Sequence, residues 1–492
     1  MTQPSILYGL FLLGVALLFW AVPNRRLKLW VILASSVLFY ATLQPHYVPL
    51  MLVLVGLNYG IGKALGTPLD WRIPNEAWQY AQADWNRRRT RLLWGGITLN
   101  ALLLLGFKYF LSTLSVLGIN ALTEGTTLAW LMPWGLSFFT FECIAYLVDV
   151  YRGSPACDRP IEFAAYKLFF PKLISGPITR FHSFQGQLKG LSFPPMNQVA
   201  EGLWLIASGA VKKLLIADHI GLLVNLSASN LPRAGSGDIW LLTFAYGLQL
   251  YLDFSGYVDV ARGSALLLGF NLPQNFNFPY LATSIADFWR RWHITLGDWL
   301  RNYLYFPLGG SRQGLMRTCF NLMVVMLVAG IWHGDRWGFI VWGAIHGLAL
   351  TIHRLSETTA ERVKLIARFW ASGPGIVIAW ALTQLVVFFS WIFFRLPNLA
   401  DASLAIRHLF NHAADVQFAQ KVYYESFFGL NRPQITLLLT GIVALMGVAY
   451  TVQRGLKVQI SWPVKVLLLP ICFYFAWVLA PSEASPYIYF DF

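Results

Sequence analysis

The sequence predicts an all-α polytopic membrane protein of about eleven transmembrane helices, with re-entrant and interfacial helices added. Three observations predict it. Of 492 residues, 57% are hydrophobic and only 12% are charged, about half the charged share of a soluble domain. Apolar stretches recur along the chain at the length of roughly 20 residues that a hydrocarbon core requires. Basic residues gather in some short loops and are missing from alternate ones, as the positive-inside rule demands.

The elements follow in order. Candidate spans in the first third are Ile6–Val22, Leu29–Leu43, Val48–Leu65, Leu92–Leu111 and Leu128–Val150. Val199–Val224, Ile239–Leu268, Arg317–His333 and Trp337–His353 come next, then Pro374–Phe394, Ile435–Tyr450 and Val464–Ala480. No basic residue precedes the first stretch and no small-residue cleavage site follows it, so it reads as a retained span and not as a removed signal peptide. Lys and Arg number 37 against 23 Asp and Glu, a net charge of +14. Nucleic-acid binding is one source of such an excess. Loop placement supplies a better one. Arg25, Arg26 and Lys28 follow the first span, Arg87, Arg88, Arg89 and Arg91 precede the fourth, and Arg152 and Arg159 follow the fifth, whereas Gln44–Pro49 holds none. The basic ends are therefore expected in the cytoplasm, facing membrane lipids, with no nucleic-acid partner. The four cysteines (Cys143, Cys157, Cys319, Cys472) show no paired spacing and suggest neither a disulfide framework nor a metal site.

No soluble domain separates from the rest. The chain reads as a single transmembrane domain over residues 1–492, with a core at about 130–355, peripheral helices at 1–112 and C-terminal helices at 374–492. Asp70–Thr90 is polar and carries Trp71, Trp78, Tyr80 and Trp85. It reads as a cytoplasmic amphipathic piece lying on headgroups. Leu396–Arg432 is the other long polar stretch. No internal repeat is visible, which argues mildly against many secondary transporters.

Phe163–Phe184 reads FAAYKLFFPKLISGPITRFHSF. Pro171 and Pro177 prevent one continuous helix, and Lys167, Lys172 and Arg180 are costly in lipid. Irregular backbone at membrane depth survives only under cover of protein or water. A buried or re-entrant broken segment lining a cavity is one reading, and an interfacial loop is the other.

The stretch FWRRWHITLGDWLRNYLY, Phe288–Tyr305, concentrates three tryptophans, three arginines, an aspartate and a histidine. Ser284 offers an N-cap with Asp287 three residues on. Asp287 and Arg291 stand four apart in the favourable acid-first order. His293 follows Trp289 by four, on one face with it if the helix continues. The segment is too charged to span and too aromatic to float. It should lie at an interface or dip into the protein. A surface anchor explains Trp299 and Arg301, but leaves a histidine among bulky aromatics without a role, and such histidines are functional candidates.

In VAGIWHGDRWG, Val328–Gly338, a span ends at His333 and Gly334 breaks it, with Asp335 able to cap a helix from Arg336 onward. Gly330 and Gly334 would allow a close neighbour. His333 then sits at a helix end facing the interior, a seat for a general base. The plainer alternative is a histidine stabilised by the helix dipole. His346 and His353 share a face of the next helix, and His346 is placed to face His333. His408 and His412 have HxxxH spacing with no glutamate between them, so no metal is expected.

These motifs resemble the membrane-bound O-acyltransferase superfamily over most of the chain, and most of all its alginate O-acetyltransferase type; a D-alanyl transfer type is more distant. The carriers, in order, are PWGLSFFTFECIAYLVDVYRG (Pro133–Gly153), FFPKLISGPITRF (Phe169–Phe181), GAVKKLLIAD (Gly209–Asp218) and YLDFSGYVDVARG (Tyr251–Gly263). FNFPYLATSIADFWRRWHITLGDWLRNYLYFPLGG (Phe276–Gly310), GIWHG, WGAIHG and the closing PYIYFDF complete the set. Asn302 stands where related sequences often have Asp, and Asp335 where a small residue is usual.

The resemblance implies a ring of helices around a funnel, with His333 and His293 as the catalytic pair. It implies a cytoplasmic donor, acetyl-CoA or an acyl-carrier thioester, and no bound cofactor. The acceptor would be an extracytoplasmic polysaccharide, reached with a hydrolase-like acetyltransferase partner, at the bacterial inner membrane. Trp332, Trp289, Arg290, Arg291, Asp298, Asn302, Asn321 and His346 are the candidates for holding substrate or donor. Lys212 and Lys213 are further candidates for donor phosphates. A transporter or flippase of lipid-linked sugars is the alternative from another class, and acylation of a lipid or protein the alternative within this one. A transporter predicts costly residues in both halves; here they cluster between Phe276 and Gly347.

Overall fold

The computed structural model describes residues 5–70, 72–116, 132–424, 429–481 and 485–490, and among these it contains helices and turns but no strand. Trp71, the first residues of the Leu128–Val150 stretch and the last two of PYIYFDF lie outside the described residues. Seven described helices are long and apolar enough to cross a membrane: Arg25–Leu43, Pro45–Leu65, Ala77–Phe110, Leu315–His333, Trp337–Arg362, Gly373–Arg395 and Arg432–Gly455. Ile6–Ala21 and Trp462–Val478 are shorter apolar helices. Large apolar side chains such as Leu7, Leu17, Val377, Leu437, Leu467 and Trp477 stand exposed along these helices, as lipid-facing positions require. The molecule is a multi-pass membrane protein.

The chain packs into two compact units, one chiefly Met1–Ile206 with Val260–Pro273, the other chiefly Ala207–Asp259 with Gln274–Ile488. In the first, helices α1 (Ile6–Ala21), α2 (Arg25–Leu43) and α3 (Val48–Leu65) precede a single 42-residue helix α4, Asn75–Val116. At 1.5 Å per residue, α4 is about 63 Å long, twice a hydrocarbon core. The polar Asp70–Thr90 stretch is therefore not a separate surface piece: most of it is the first half of this helix. The Arg89 guanidinium donates to the carbonyls of Leu65 (3.0 Å), Val150 (3.1 Å) and Tyr151 (2.7 Å). One arginine thus satisfies the open C-terminal ends of α3 and of α5, Leu136–Tyr151.

Almost all of α5 is buried, and it carries Glu142 into the interior. The broken segment hangs on that carboxylate. After α6 (Pro160–Lys167) the chain runs irregularly to α7 (Phe181–Lys189). Lys167 donates to Glu142 at 3.0 Å and Lys172 at 2.5 Å, and both the backbone N–H and the hydroxyl of Thr179 donate to it at 2.9 Å. The segment is buried, not an interfacial loop, and its two lysines are tolerated because one carboxylate serves both. Gly135, at φ +80°, starts α5 where a Cβ would lie 2.4 Å from the carbonyl oxygen of Leu173.

Helix α8 (Met196–Ala210) runs into a π-helical stretch, Val211–Ala217, and then α9 (Asp218–Ser229); α10 is one 32-residue helix, Ser236–Leu267. The expected spans Val199–Val224 and Ile239–Leu268 thus fall within continuous helical stretches, and the charges they carry pair inside the protein. In the second unit Lys213 donates to Asp253 at 2.7 Å and lies 2.8 Å from Asp218, and Lys212 reaches Asp259 at 2.6 Å. Both lysines are committed to carboxylates instead of being open to a donor phosphate.

The second unit continues with α11 (Ile285–Arg291), α12 (Ile294–Leu300), α13 (Leu315–His333), α14 (Trp337–Arg362), α15 (Lys364–Ala371), α16 (Gly373–Arg395) and α17 (Leu399–His408). Helices α13 and α14 cross tightly. A Cβ on Gly330 would lie 2.4 Å from the Phe339 carbonyl oxygen, and one on Gly343 would lie 2.4 Å from that of Met326. Gly330 pairs with Gly343 across the crossing, while Gly334 makes room for the Phe339 ring.

Candidate active site

The site is assembled from element ends. Ser284 caps α11 by accepting from the Asp287 N–H at 3.1 Å, and Asp287 pairs with Arg291 at 2.8 Å. The helix does not continue to His293. It stops at Arg291, and His293 takes the left-handed conformation, φ 43°, as the residue before α12. His293 and Trp289 therefore do not share one helical face. The break is held from a distance by Asn275: its carbonyl accepts from the Ile294 N–H at 2.9 Å, and its side-chain oxygen accepts from the N–H and hydroxyl of Thr295 at 3.0 and 2.7 Å. Asn275 thus caps α12 in place of His293, whose own side chain makes no cap. Asn277 donates its N–H to the Arg291 carbonyl and secures the other side of the break.

His333 is the last residue of α13, followed by the extended Gly334. The next helix begins at Trp337, and its N-cap residue is Arg336 and not Asp335. His293 and His333 are 0% and 3% exposed, so each is enclosed by protein. Burial pushes the His293 imidazole down to about 3, so its ring is neutral at pH 7.

Aromatic rings enclose both. The Trp332 ring lies 6.3 Å from His293 and 4.6 Å from His333. Phe254 meets His293 edge-on at 4.9 Å. Trp342 stands nearly perpendicular to His333 at 5.0 Å, and Phe394 closes another side at 4.8 Å. His346 lies 4.9 Å from the same Trp342 ring. Its Nδ1 accepts from the Trp289 indole at 3.3 Å, and its Nε2 lies 2.9 Å from the Ser390 hydroxyl. The indole nitrogens of Trp342 and Trp391 are buried without a hydrogen-bond acceptor among the described residues.

The structure therefore brings together five of the expected residues: His293, Trp332, His333, His346 and Trp289. It leaves the others elsewhere. Arg290 is largely exposed, and Asp298 pairs at the surface with Arg301 at 2.6 Å. Asn302 donates to the Asp298 carbonyl. Arg291 is held by Asp287 and by the Tyr450 ring. Asn321 is buried, donating to the carbonyls of Leu308 and Gly310, and lies about 18 Å along α13 from His333. His408 stacks on His412 and pairs through Nδ1 with the Ala234 carbonyl, and no cluster of three metal-ligating side chains exists among the described residues. Sequence reasoning missed Asn275, Ser390, Trp342 and Phe394. Only Trp342 carried a signal, being one turn before His346.

A multi-pass helical membrane protein with two buried histidines beside one tryptophan defines the class. Comparison with known proteins gives it a family. The model of MBOAT, the membrane-bound O-acyltransferase family, matches residues 159–389. "Probable alginate O-acetylase AlgI" of Pseudomonas aeruginosa is 36% identical over 463 residues, covering 90% of this chain and 80% of that one. The peptidoglycan O-acetyltransferase of Helicobacter pylori is 34% identical over 402 residues, covering 76% and 72%. The teichoic acid D-alanyltransferase of Bacillus subtilis is 27% identical over 258 residues, covering 50% and 65%. The chain belongs to the membrane-bound O-acyltransferase family and is an O-acyltransferase.

Proposed function

We propose that this enzyme carries an acetyl group from a cytoplasmic thioester, acetyl-CoA or an acyl-carrier protein, to an extracytoplasmic polysaccharide at a bacterial inner membrane. A hydrolase-like acetyltransferase partner outside the membrane completes the transfer. The names of the P. aeruginosa and H. pylori relatives, both O-acetylating, support the acyl group and the acceptor class. The observation that carries the reading is the placement of His333 and His293 around Trp332 in a buried aromatic enclosure.

A hydroxyl is a weak nucleophile until a base takes its proton. His333 is that base. The acceptor oxygen bonds to the thioester carbonyl carbon as its proton passes to the imidazole. The tetrahedral oxyanion then collapses, the C–S bond breaks, and the leaving thiolate takes the proton from the imidazolium. His293, or the indole N–H of Trp332 or Trp342, supplies the hydrogen bond that the oxyanion needs, in an enclosure of low dielectric where such a bond is strong.

The test is label transfer from acetyl-CoA by purified protein. Wild type is expected to pass label to a hydroxyl acceptor, polysaccharide or partner. His333→Ala is expected to abolish this while keeping expression and a monodisperse profile. Wild-type transfer by His333→Ala would overturn the base assignment, and failure of acetyl-CoA where an acyl-carrier thioester succeeds would decide the donor.

A further inference from the structure

The geometry points to His346 as a positioning residue that fixes the catalytic enclosure and takes no part in proton transfer. This rests on the reading of His333 and His293 as the reacting pair.

The ring is fully buried and both nitrogens are engaged. The Ser390 hydroxyl donates its only proton to the Val387 carbonyl at 2.7 Å. Its oxygen must therefore accept from His346, which puts the imidazole proton on Nε2. The Trp289 indole can only donate, so Nδ1 must be the unprotonated nitrogen that accepts it. Both bonds exist together in one form only, the neutral Nε2–H tautomer. That form keeps no lone pair for a substrate proton, and protonation at Nδ1 would expel Trp289. A histidine so committed is a poor acid or base and a good fixed plane.

What it fixes follows from the elements involved. His346 is on α14, Trp289 on α11 and Ser390 on α16. One ring therefore joins three helices. The α11 partner lies four residues before His293, at the near side of the break that places that histidine. The α16 partner lies one turn before Phe394, which touches His333. On its own helix His346 packs against Trp342 at 4.9 Å, the wall perpendicular to His333. Loss of its two hydrogen bonds would free α11 and α16 to shift against α14, and misplacement of a reacting group by about 1 Å costs on the order of 10²-fold in rate.

Four variants and one spectrum test this. His346→Leu keeps volume and removes both hydrogen bonds, and is expected to lose at least about 10-fold in kcat with KM for the thioester within about 2-fold. His346→Gln keeps one donor and one acceptor on the same stem and is expected to recover most of that loss, which a proton-transferring residue would not allow. Trp289→Phe and Ser390→Ala are expected to lower kcat in the same direction, and Trp289→Phe to add little in the His346→Leu background. Nitrogen NMR of histidine-labelled protein should show the His346 ring as the neutral Nε2–H form from pH 6 to 8. Should His346→Leu fail to give a monodisperse protein, the Trp289→Phe and Ser390→Ala losses with unchanged KM carry the test. Wild-type kcat in His346→Leu overturns the inference, as does His346→Gln being as inactive as His333→Ala. His333→Ala run alongside separates the two readings. If it retains full activity, the catalytic assignment fails; if it is inactive while His346→Leu is unaffected, only the positioning role fails.

Discussion

The Trp332 ring borders both histidines, 6.3 Å from the His293 imidazole and 4.6 Å from that of His333. The two histidines are 40 positions apart in the numbering, and each stands at an element end, one before α12 and one closing α13. A shared indole gives them a common wall.

That wall makes the histidine pair separable by kinetics. His293→Ala is expected to lower the rate by roughly 10²–10³-fold if the ring acts as one positioned donor. A loss equal to that of His333→Ala, with no further loss in the double variant, would instead show the two working as a unit. The measurement is kcat for acetyl transfer in both single variants and the double.

Asn275 governs where His293 points. Asn275→Ala removes the acceptor for the Thr295 N–H and hydroxyl. Loss of a cap costs about 1 kcal/mol, so the melting temperature should fall by a few degrees and kcat should fall with it. Asn275→Asp keeps the oxygen and should restore both. If Asn275→Ala melts and turns over as wild type does, then the break at His293 is held by something else.

Glu142 is the single carboxylate between Lys167 and Lys172. Glu142→Gln leaves two buried ammonium groups without a counter-charge, and removing one member of a buried ion group typically costs about 3–5 kcal/mol. The expected result is a sharp drop in yield and thermal stability. Adding Lys172→Met should recover part of it, because it removes one of the stranded charges. A Glu142→Gln protein as stable as wild type would show that the two lysines find other partners.

Local chemistry was readable where neighbours in sequence decide it. Ser284, Asp287 and Arg291 follow from spacing alone, and so does the end of α13 at His333 before Gly334. His293 was misplaced because helical periodicity was carried on from Trp289, whereas the helix is cut by Asn275, 18 positions earlier in the chain. Asp335 has the residue type of a cap, yet the chain leaves Gly334 extended and hands that position to Arg336. The Arg89 side chain counts as one more loop charge in a sequence and is, in the fold, the terminus of two helices. Val199–Val224 and Ile239–Leu268 read as spans and are helical, but apolarity does not tell whether a helix faces lipid or protein. Their lysines and aspartates are matched by partners that only the tertiary structure supplies.

The Glu142 cluster also sets an order for biosynthesis. Its lysine partners are 25 and 30 residues further along the chain. A ribosome delivers α5 before either of them, so the nascent helix meets the bilayer bearing an uncompensated negative charge. It must wait in the insertion machinery, or shallow in the headgroups, until the segment through Lys172 has emerged. A cysteine placed in α5 of arrested nascent chains should accordingly become shielded from water-soluble thiol reagents only once both lysines have left the ribosome.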